Sequence, residues 1–291
     1  MHWIMWLSAL GLAWSWRCMR LEPNHNWNQR WQRTLKLFLL PPLFLLTTAT
    51  AICCMELQTG VAQYWFDGLS LSAAIGFLVC AGVLSLKLLI EVWQSMAQIH
   101  TCKQLQLNGQ LGRLLNSPIP YAAQVGLWQP ELVVSQGLLD ILSPAHLEAV
   151  LAHEEAHRVY RDTFWFLLLG WLRRLTVWLP QTEVLWQELL LLRELRADRW
   201  AAQRVDYLLL TESLLLMVKA PTTMFDSSSV AFSSAAAPER LIQRVEALLT
   251  EADSIQPSTP QAWAWLLLVL LPLITISFHY LSHEIYCLFL R

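Results

Sequence analysis

Charge is what this chain has least of. Only 14% of its 291 residues are Asp, Glu, Lys or Arg, while 55% are apolar and 16 are tryptophan, a balance unlike that of an ordinary soluble domain. The formal net charge is −2, and no basic run exists beyond one cluster between Arg17 and Lys36, which argues against nucleic acid as a partner. Cysteine is also scarce. The six cysteines include no Cys-x-x-Cys pair, and Cys53, Cys54 and Cys80 fall within apolar runs, so neither a disulfide framework nor a zinc knot or redox site is implied. The N-terminus lacks the leading positive charge and small-residue cleavage site of a removable signal peptide, running from Met1-His2-Trp3 to Trp14-Ser15-Trp16-Arg17. No internal repeat is visible.

The apolar residues are gathered into long runs. Leu37–Leu57, Leu69–Ile90 and Ala262–Ser282 each reach the roughly 20 residues a helix needs to cross a bilayer, and Met1–Trp16 is a shorter fourth candidate. Arg17, Arg20, Arg30, Arg33 and Lys36 crowd the first connection, whereas the second carries Asp67 and no Lys or Arg. The positive-inside rule therefore makes the first connection cytoplasmic. Trp14, Trp16, Trp65, Trp93, Trp263 and Trp265 stand at span ends, as in an aromatic belt. The expected organisation is three N-terminal transmembrane helices over residues 1–93, a cytoplasmic domain over 94–250, a linker at 251–261, and a last span with a short tail at 262–291. The lipid bilayer is the first expected partner, and only nine residues follow the last span.

Within the cytoplasmic stretch the patterning changes. Asn108-Gly109 is a turn signal, and Tyr121–Leu127 and Glu131–Ser135 are predicted as two short strands joined at Trp128-Gln129-Pro130. Ser143 followed by Pro144 starts a helix, the hydroxyl as cap and the proline where its missing N–H costs nothing. That helix should run to about Tyr160. A second is predicted over Thr182–Val218, a loop over Thr222–Ala237, a short helix over Pro238–Leu249 and a linker over Thr250–Pro260. Arg173-Arg174 interrupts Phe164–Pro180, which favours a helix lying on or against the membrane over a fifth span.

The stretch LAHEEAHRVYRD, residues 151–162, carries the chemistry. At 3.6 residues per turn His153 and His157 point within about 40° of each other and Glu154 lies about 60° from His157, so all three can address one point. Two imidazoles on one helical face can bind Zn²⁺, and the adjacent carboxylate can take a proton from water there. Glu155, about 200° from His153, faces away. A third ligand is required. Glu194 supplies one candidate, with Asp198 four residues on, and Ala197 and Ala201 on the same stripe match Ala149 and Ala156 beside the histidines, allowing two helices to approach closely. Asp198 would then hold a ligand histidine in the right tautomer. The competing reading places Glu194 and Asp198 on a solvated face with Arg193, Arg196 and Arg199; on the zinc-site reading too, Arg193 is expected on a solvated face, where it could be replaced with little effect. Asp162 either orients the catalytic helix or caps the next one with Thr163. His146 is expected at the rim rather than as a ligand, and His279, His283 and Glu284 as interfacial polar residues.

These features resemble a known group. Four spans, the H-E-x-x-H helix followed by Arg161-Asp162, and the Glu194 to Asp198 sequence look like the BlaR/MecR-type integral membrane zinc metallopeptidases, and next like the HtpX-type membrane peptidases. The likeness runs from about Pro120 to Leu249, including Gly126–Ser135 and Arg240-Leu-Ile-Gln-Arg-Val. It implies His153, His157 and Glu194 as zinc ligands, Glu154 as catalytic base, and a cytoplasmic zincin-like (gluzincin) helical domain with a small antiparallel sheet in a mainly α protein, set in a bacterial plasma membrane. Two departures stand out. Glu155 occupies a usually apolar position, and the large extracellular sensor of the antibiotic receptors has no counterpart after the last span, so direct β-lactam sensing is not expected.

The expected function is zinc-dependent endopeptidase action on a cytoplasmic or membrane-proximal protein, in signalling or quality control. The alternative is a non-catalytic membrane protein with a structural or partner-binding zinc. Glu154 favours the enzyme, since a structural zinc needs no base. Tyr160, Arg199, Arg204 and Tyr207 are the candidates to stabilise an oxyanion.

Overall fold

The computed structural model describes residues 2–19, 26–59, 65–107, 109–219, 238–249 and 266–277. The expected loop at Thr222–Ala237, the linker at Thr250–Pro260, and His279, His283 and Glu284 lie outside them. Two compact units emerge, one from residues 1–86, 171–188 and 256–291, the other from 87–170 and 189–255.

The first unit holds α1 (His2–Arg17), α2 (Trp27–Thr59), most of α3 (Trp65–His100), the end of α6 (Asp162–Leu175) and the start of α7 (Thr182–Ala202). Trp6, Ala9 and Ala13 form one stripe of α1 and pack with Leu45, Ala49 and Ile52 of α2, small side chains letting the two backbones come close. Pro41 and Pro42 sit inside α2. A proline has no N–H, so Pro42 leaves the carbonyl four residues back, that of Phe38, without its helical donor. Arg17, 0% exposed, supplies the missing donor. Its Nη2 donates to Phe38 O at 3.1 Å, its Nη1 to Thr182 Oγ1 at 3.2 Å, and the guanidinium lies 5.1 Å from the centre of the Phe38 ring.

Two helices, Trp27–Met55 and Gly68–His100, are long and apolar enough to cross a membrane, and they contain the expected runs at Leu37–Leu57 and Leu69–Ile90 almost entirely. Over its most apolar window α2 is 61% buried, α3 only 17%. Ile75, Val79, Val83, Leu86 and Leu89 of α3 are all exposed. The expected four-helix region is thus represented among the described residues by two long helices, by α1 with 16 residues, and by the short apolar helix Leu266–Ser277.

The second unit begins with the end of α3 and continues through β1 (Lys103–Leu107), β2 (Gln110–Leu115), β3 (Ala122–Val125), β4 (Glu131–Ser135), α4 (Gln136–Ile141), α5 (Pro144–Val159), most of α6, the rest of α7, α8 (Tyr207–Lys219) and α9 (Pro238–Leu249). The sheet corrects the sequence expectation. It has four strands in the order β1-β2-β4-β3, and it is mixed rather than antiparallel: β2 runs parallel to β4, Leu114 beside Val134, while the β1–β2 and β3–β4 pairs are antiparallel. The first hairpin escaped notice because KQLQL and QLGRLL contain none of the β-branched or aromatic residues that mark strands. Gly109 at its turn has φ +83, a conformation glycine adopts without strain.

Local chemistry then places α5. Ser135 ends β4 and caps α4, its Oγ accepting from Leu138 N at 3.2 Å and from Tyr121 N at 2.8 Å. A side chain at Gly137 would meet Pro118 O at 2.0 Å, so this crossing admits only glycine. Ser143 caps α5, with Pro144 in the first turn, as expected. Leu132 and Val134 of β4 pack with Leu138, Leu142, Val150 and Leu151, each such burial contributing about 1.5–3 kcal/mol. The predicted single helix Thr182–Val218 is two. It stops at Ala202, and Asp206 Oδ1 accepts from Leu208 N at 2.8 Å to start α8, an aspartate cap outweighing the continuous apolar pattern.

Candidate metal centre

Ala149 and Ala156 of α5 and Ala197 and Ala201 of α7 are all 0% exposed, and Ala149 and Ala201 share one cluster with Leu210. With no side chain beyond Cβ, these positions let α5 and α7 approach, which brings the histidines of one to the carboxylates of the other. His153 Nε2 lies 3.1 Å from His157 Nε2, and Glu194 Oε2 lies 3.3 Å from the first and 3.8 Å from the second. All three residues are buried. A tetrahedral zinc ion with ligands about 2.0–2.2 Å away needs donor atoms about 3.3 Å apart. The observed separations fit that demand, and the group could hold a metal ion.

The outer ring nitrogens are held as well. His157 Nδ1 hydrogen-bonds to Asp162 Oδ2 at 2.7 Å. His153 Nδ1 sits 2.8 Å from Asp198 Oδ1, a close contact. With each Nδ1 turned to a carboxylate, each Nε2 is left to face the same point. Asp162, open between two roles on sequence grounds, is here both the first residue of α6 and the partner of His157. It reaches back because Arg161 adopts φ +53 and reverses the chain directly after α5. Arg196 also bonds to Asp162 and covers the Tyr160 ring at 4.1 Å.

Arginine completes the centre, and sequence reasoning missed it. Arg193, expected on a solvated face, is 7% exposed, donates to Glu194 Oε1 through Nε at 2.9 Å and Nη2 at 2.6 Å, and lies 4.8 Å from the Phe166 ring centre. The solvated-face reading is corrected: four consecutive leucines, Leu189–Leu192, carry this part of α7 into the interior. Arg244 of α9 donates to both oxygens of Asp198 at 2.7 Å and stands 3.5 Å from Glu194 Oε2. The only sequence signal for it was its place in Arg240-Leu-Ile-Gln-Arg-Val.

These partners set the protonation states. Burial raises the Glu154 carboxyl, with His157 and His153 opposing. Burial works the same way on Glu194, but Arg193, His157 and His153 outweigh it and hold that carboxyl well below the ordinary range. Asp198 and Asp162 are also lowered against burial, the first chiefly by Arg244, the second by His157 and Arg196. Burial disfavours a charged His153, yet Asp198 and Glu194 push its ring up to about 9. One buried carboxyl held ionised beside another made less acidic is an arrangement that could divide metal binding from proton transfer.

Of the other candidates, Glu155 faces away as expected, bonding to Arg158 and to Gln110, and His146 lies between Ser143 and Glu212. Arg204 donates to Trp200 O and stacks on that ring. Comparison with curated proteins finds no match for this chain. Residues 89–217 match the family model of Peptidase family M48, a segment that contains α5, Asp162, Glu194 and Asp198, and the match supports assigning that segment to the M48 metallopeptidases.

Proposed function

We propose that this chain is a multi-pass membrane zinc metalloendopeptidase of the BlaR/MecR or HtpX type, hydrolysing peptide bonds of a cytoplasmic or membrane-proximal protein. The observation that carries the proposal is the convergence of His153 Nε2, His157 Nε2 and Glu194 Oε2 beside the buried Glu154, with both outer histidine nitrogens held by carboxylates. Zinc bound by these three side chains would supply Lewis acidity toward a peptide carbonyl and make nearby water more acidic. Glu154 accepts a proton from the attacking water and returns it to the leaving amine, and its raised carboxyl suits both transfers. Asp162 and Asp198 keep the imidazoles turned inward.

The edge of the sheet supports a docking role toward substrate. β3 is an edge strand with α5 packed against it, so an extended peptide can add to it through backbone hydrogen bonds. Membrane embedding is supported by α2 and α3 and by the basic first connection. Four spans, with the peptidase domain at 94–250 on the cytoplasmic side, is the arrangement this charge pattern favours.

Glu154→Gln tests the enzyme. The purified variant should retain its metal and lose hydrolysis by orders of magnitude. Wild-type activity in that variant would move the chemistry to a different catalytic residue, and no activity in either protein would leave the centre a structural or partner-binding role.

A further inference from the structure

A cavity of about 270 Å³ is lined by Gln110 and Leu111 of β2, Gln124 of β3, Pro130, Leu132 of β4 and Arg158 of α5. Most polar groups in its wall are already satisfied. Arg158 donates to both oxygens of Glu155, cancelling that charge, and Gln110 Nε2 donates to Glu155 Oε2 at 3.0 Å. Gln124 differs. It is 8% exposed, and neither its Oε1 nor its Nε2 has a partner. A buried amide left unpaired is costly to the fold, and such groups ordinarily find donors and acceptors.

Gln124 is also placed where a docked peptide would lie. It pairs with Leu132 across the β3–β4 ladder. Because Ser135 N bonds to Tyr121 O, the alternation of an antiparallel pair turns the backbone groups of Ala122 and Gln124 to the open edge. The Gln124 side chain shares the sheet face of Leu132, the face on which α5 packs. Arg158 is four residues after Glu154 on α5, so the two lie about 6 Å apart along the axis and about 40° around it. That distance is about two residues of extended chain.

We infer that this cavity is a substrate side-chain subsite, selective for a carboxamide, that of Gln or Asn, within two residues of the scissile bond, with Gln124 as its specificity determinant. The inference rests on the peptidase proposal. A carboxamide offers one acceptor and two donors in one plane and so can satisfy both Oε1 and Nε2 of Gln124. A carboxylate would satisfy Nε2 but set oxygen against Oε1. An ammonium would leave Nε2 unpaired beside the Arg158 guanidinium, and an apolar side chain would leave both atoms unpaired.

The test uses the full chain in detergent with zinc and a peptide mixture from a digested proteome, cleavage sites being read by mass spectrometry. The same mixture is captured on Glu154→Gln protein, with and without Gln124→Leu. Wild type should favour Gln and Asn over Leu and Met at one fixed position by about tenfold, Gln124→Leu should reverse that order, and the captured peptides should show the same change. Gln124→Leu should melt no lower than wild type, because it removes an unpaired buried amide. Cleavage without this preference, or with a preference that Gln124→Leu leaves unchanged, overturns the subsite and leaves the peptidase standing. Gln- and Asn-enriched capture without any cleavage does the reverse. Neither cleavage nor enrichment overturns both.

Discussion

Arg244 makes two hydrogen bonds to Asp198, both at 2.7 Å, from a helix 46 residues further along the chain. Asp198 in turn meets His153 Nδ1 at 2.8 Å, so α9 reaches the candidate metal centre without adding to the His153, His157 and Glu194 group. Arg244→Ala should lower zinc affinity roughly 10–100-fold, the usual loss when an outer partner of a ligand is removed. Arg244→Lys should fall between the two, since an ammonium cannot make the paired contact of a guanidinium. Competition against a zinc chelator measures both. Unchanged affinity in Arg244→Ala would reduce the contact to packing.

Arg193 makes the sharper contrast with its sequence-based expectation. Removing it leaves Glu194 Oε1 without either of its arginine hydrogen bonds in a buried setting, and breaking such a pair typically destabilises by about 3–5 kcal/mol. Arg193→Ala should melt clearly below wild type and hold zinc less well. Near-neutral behaviour would restore the solvated face.

Between α5 and α6 a non-glycine residue, Arg161, holds φ +53 one position past the Tyr160 cap, where glycine is the commonest solution. Arg161→Gly should therefore stabilise the fold by about 0.5–1 kcal/mol with zinc affinity unchanged. Thermal midpoints compare the two. A fall would mean that the Arg161 side chain does more for the turn than its backbone angle costs.

The protonation pattern sets a pH window for the chain once zinc has been stripped by a chelator. Glu194, Asp198 and Asp162 have carboxyls below their ordinary values of 4.5, 3.8 and 3.8. Their stabilising contribution is present above those values and lost as pH falls below them. His153, raised from 6.5 to about 9, contributes fully below 6.5 and loses that contribution as pH rises through about 9. Glu154 acts in the opposite sense, its raised carboxyl giving a contribution present below 4.5 and lost as pH rises through its folded value. The stripped protein should therefore melt highest toward the acid end of the window between the carboxyl values and 6.5. With zinc restored His153 must release its proton, so the alkaline decline should vanish. Melting curves from pH 4 to 9.5, with and without zinc, check this.

Legibility in the sequence followed the range of each signal. The caps and periodicity of α5 are local, so Ser143, Pro144 and the histidine spacing could be read directly. Glu194 needed only the second helix and its matching alanines. Arg244 needed the packing of α9 onto α7, and no pattern of spacing encodes which of two arginines, 240 or 244, turns inward. Parallel pairing of β2 with β4 is likewise a tertiary choice, made by strands with little intrinsic preference of their own. Arg193 was misplaced for a related reason: charge normally marks a surface, and the Glu194 carboxylate and Phe166 ring beside it help make burial tolerable.

Arg17 and Phe38 O carry a consequence for assembly. Until α1 lies alongside, α2 has a carbonyl that no residue of its own helix can satisfy. α1 is thus what completes the hydrogen bonding of α2. A chain without α1 would therefore carry an α2 with an unmet acceptor one turn before its paired prolines.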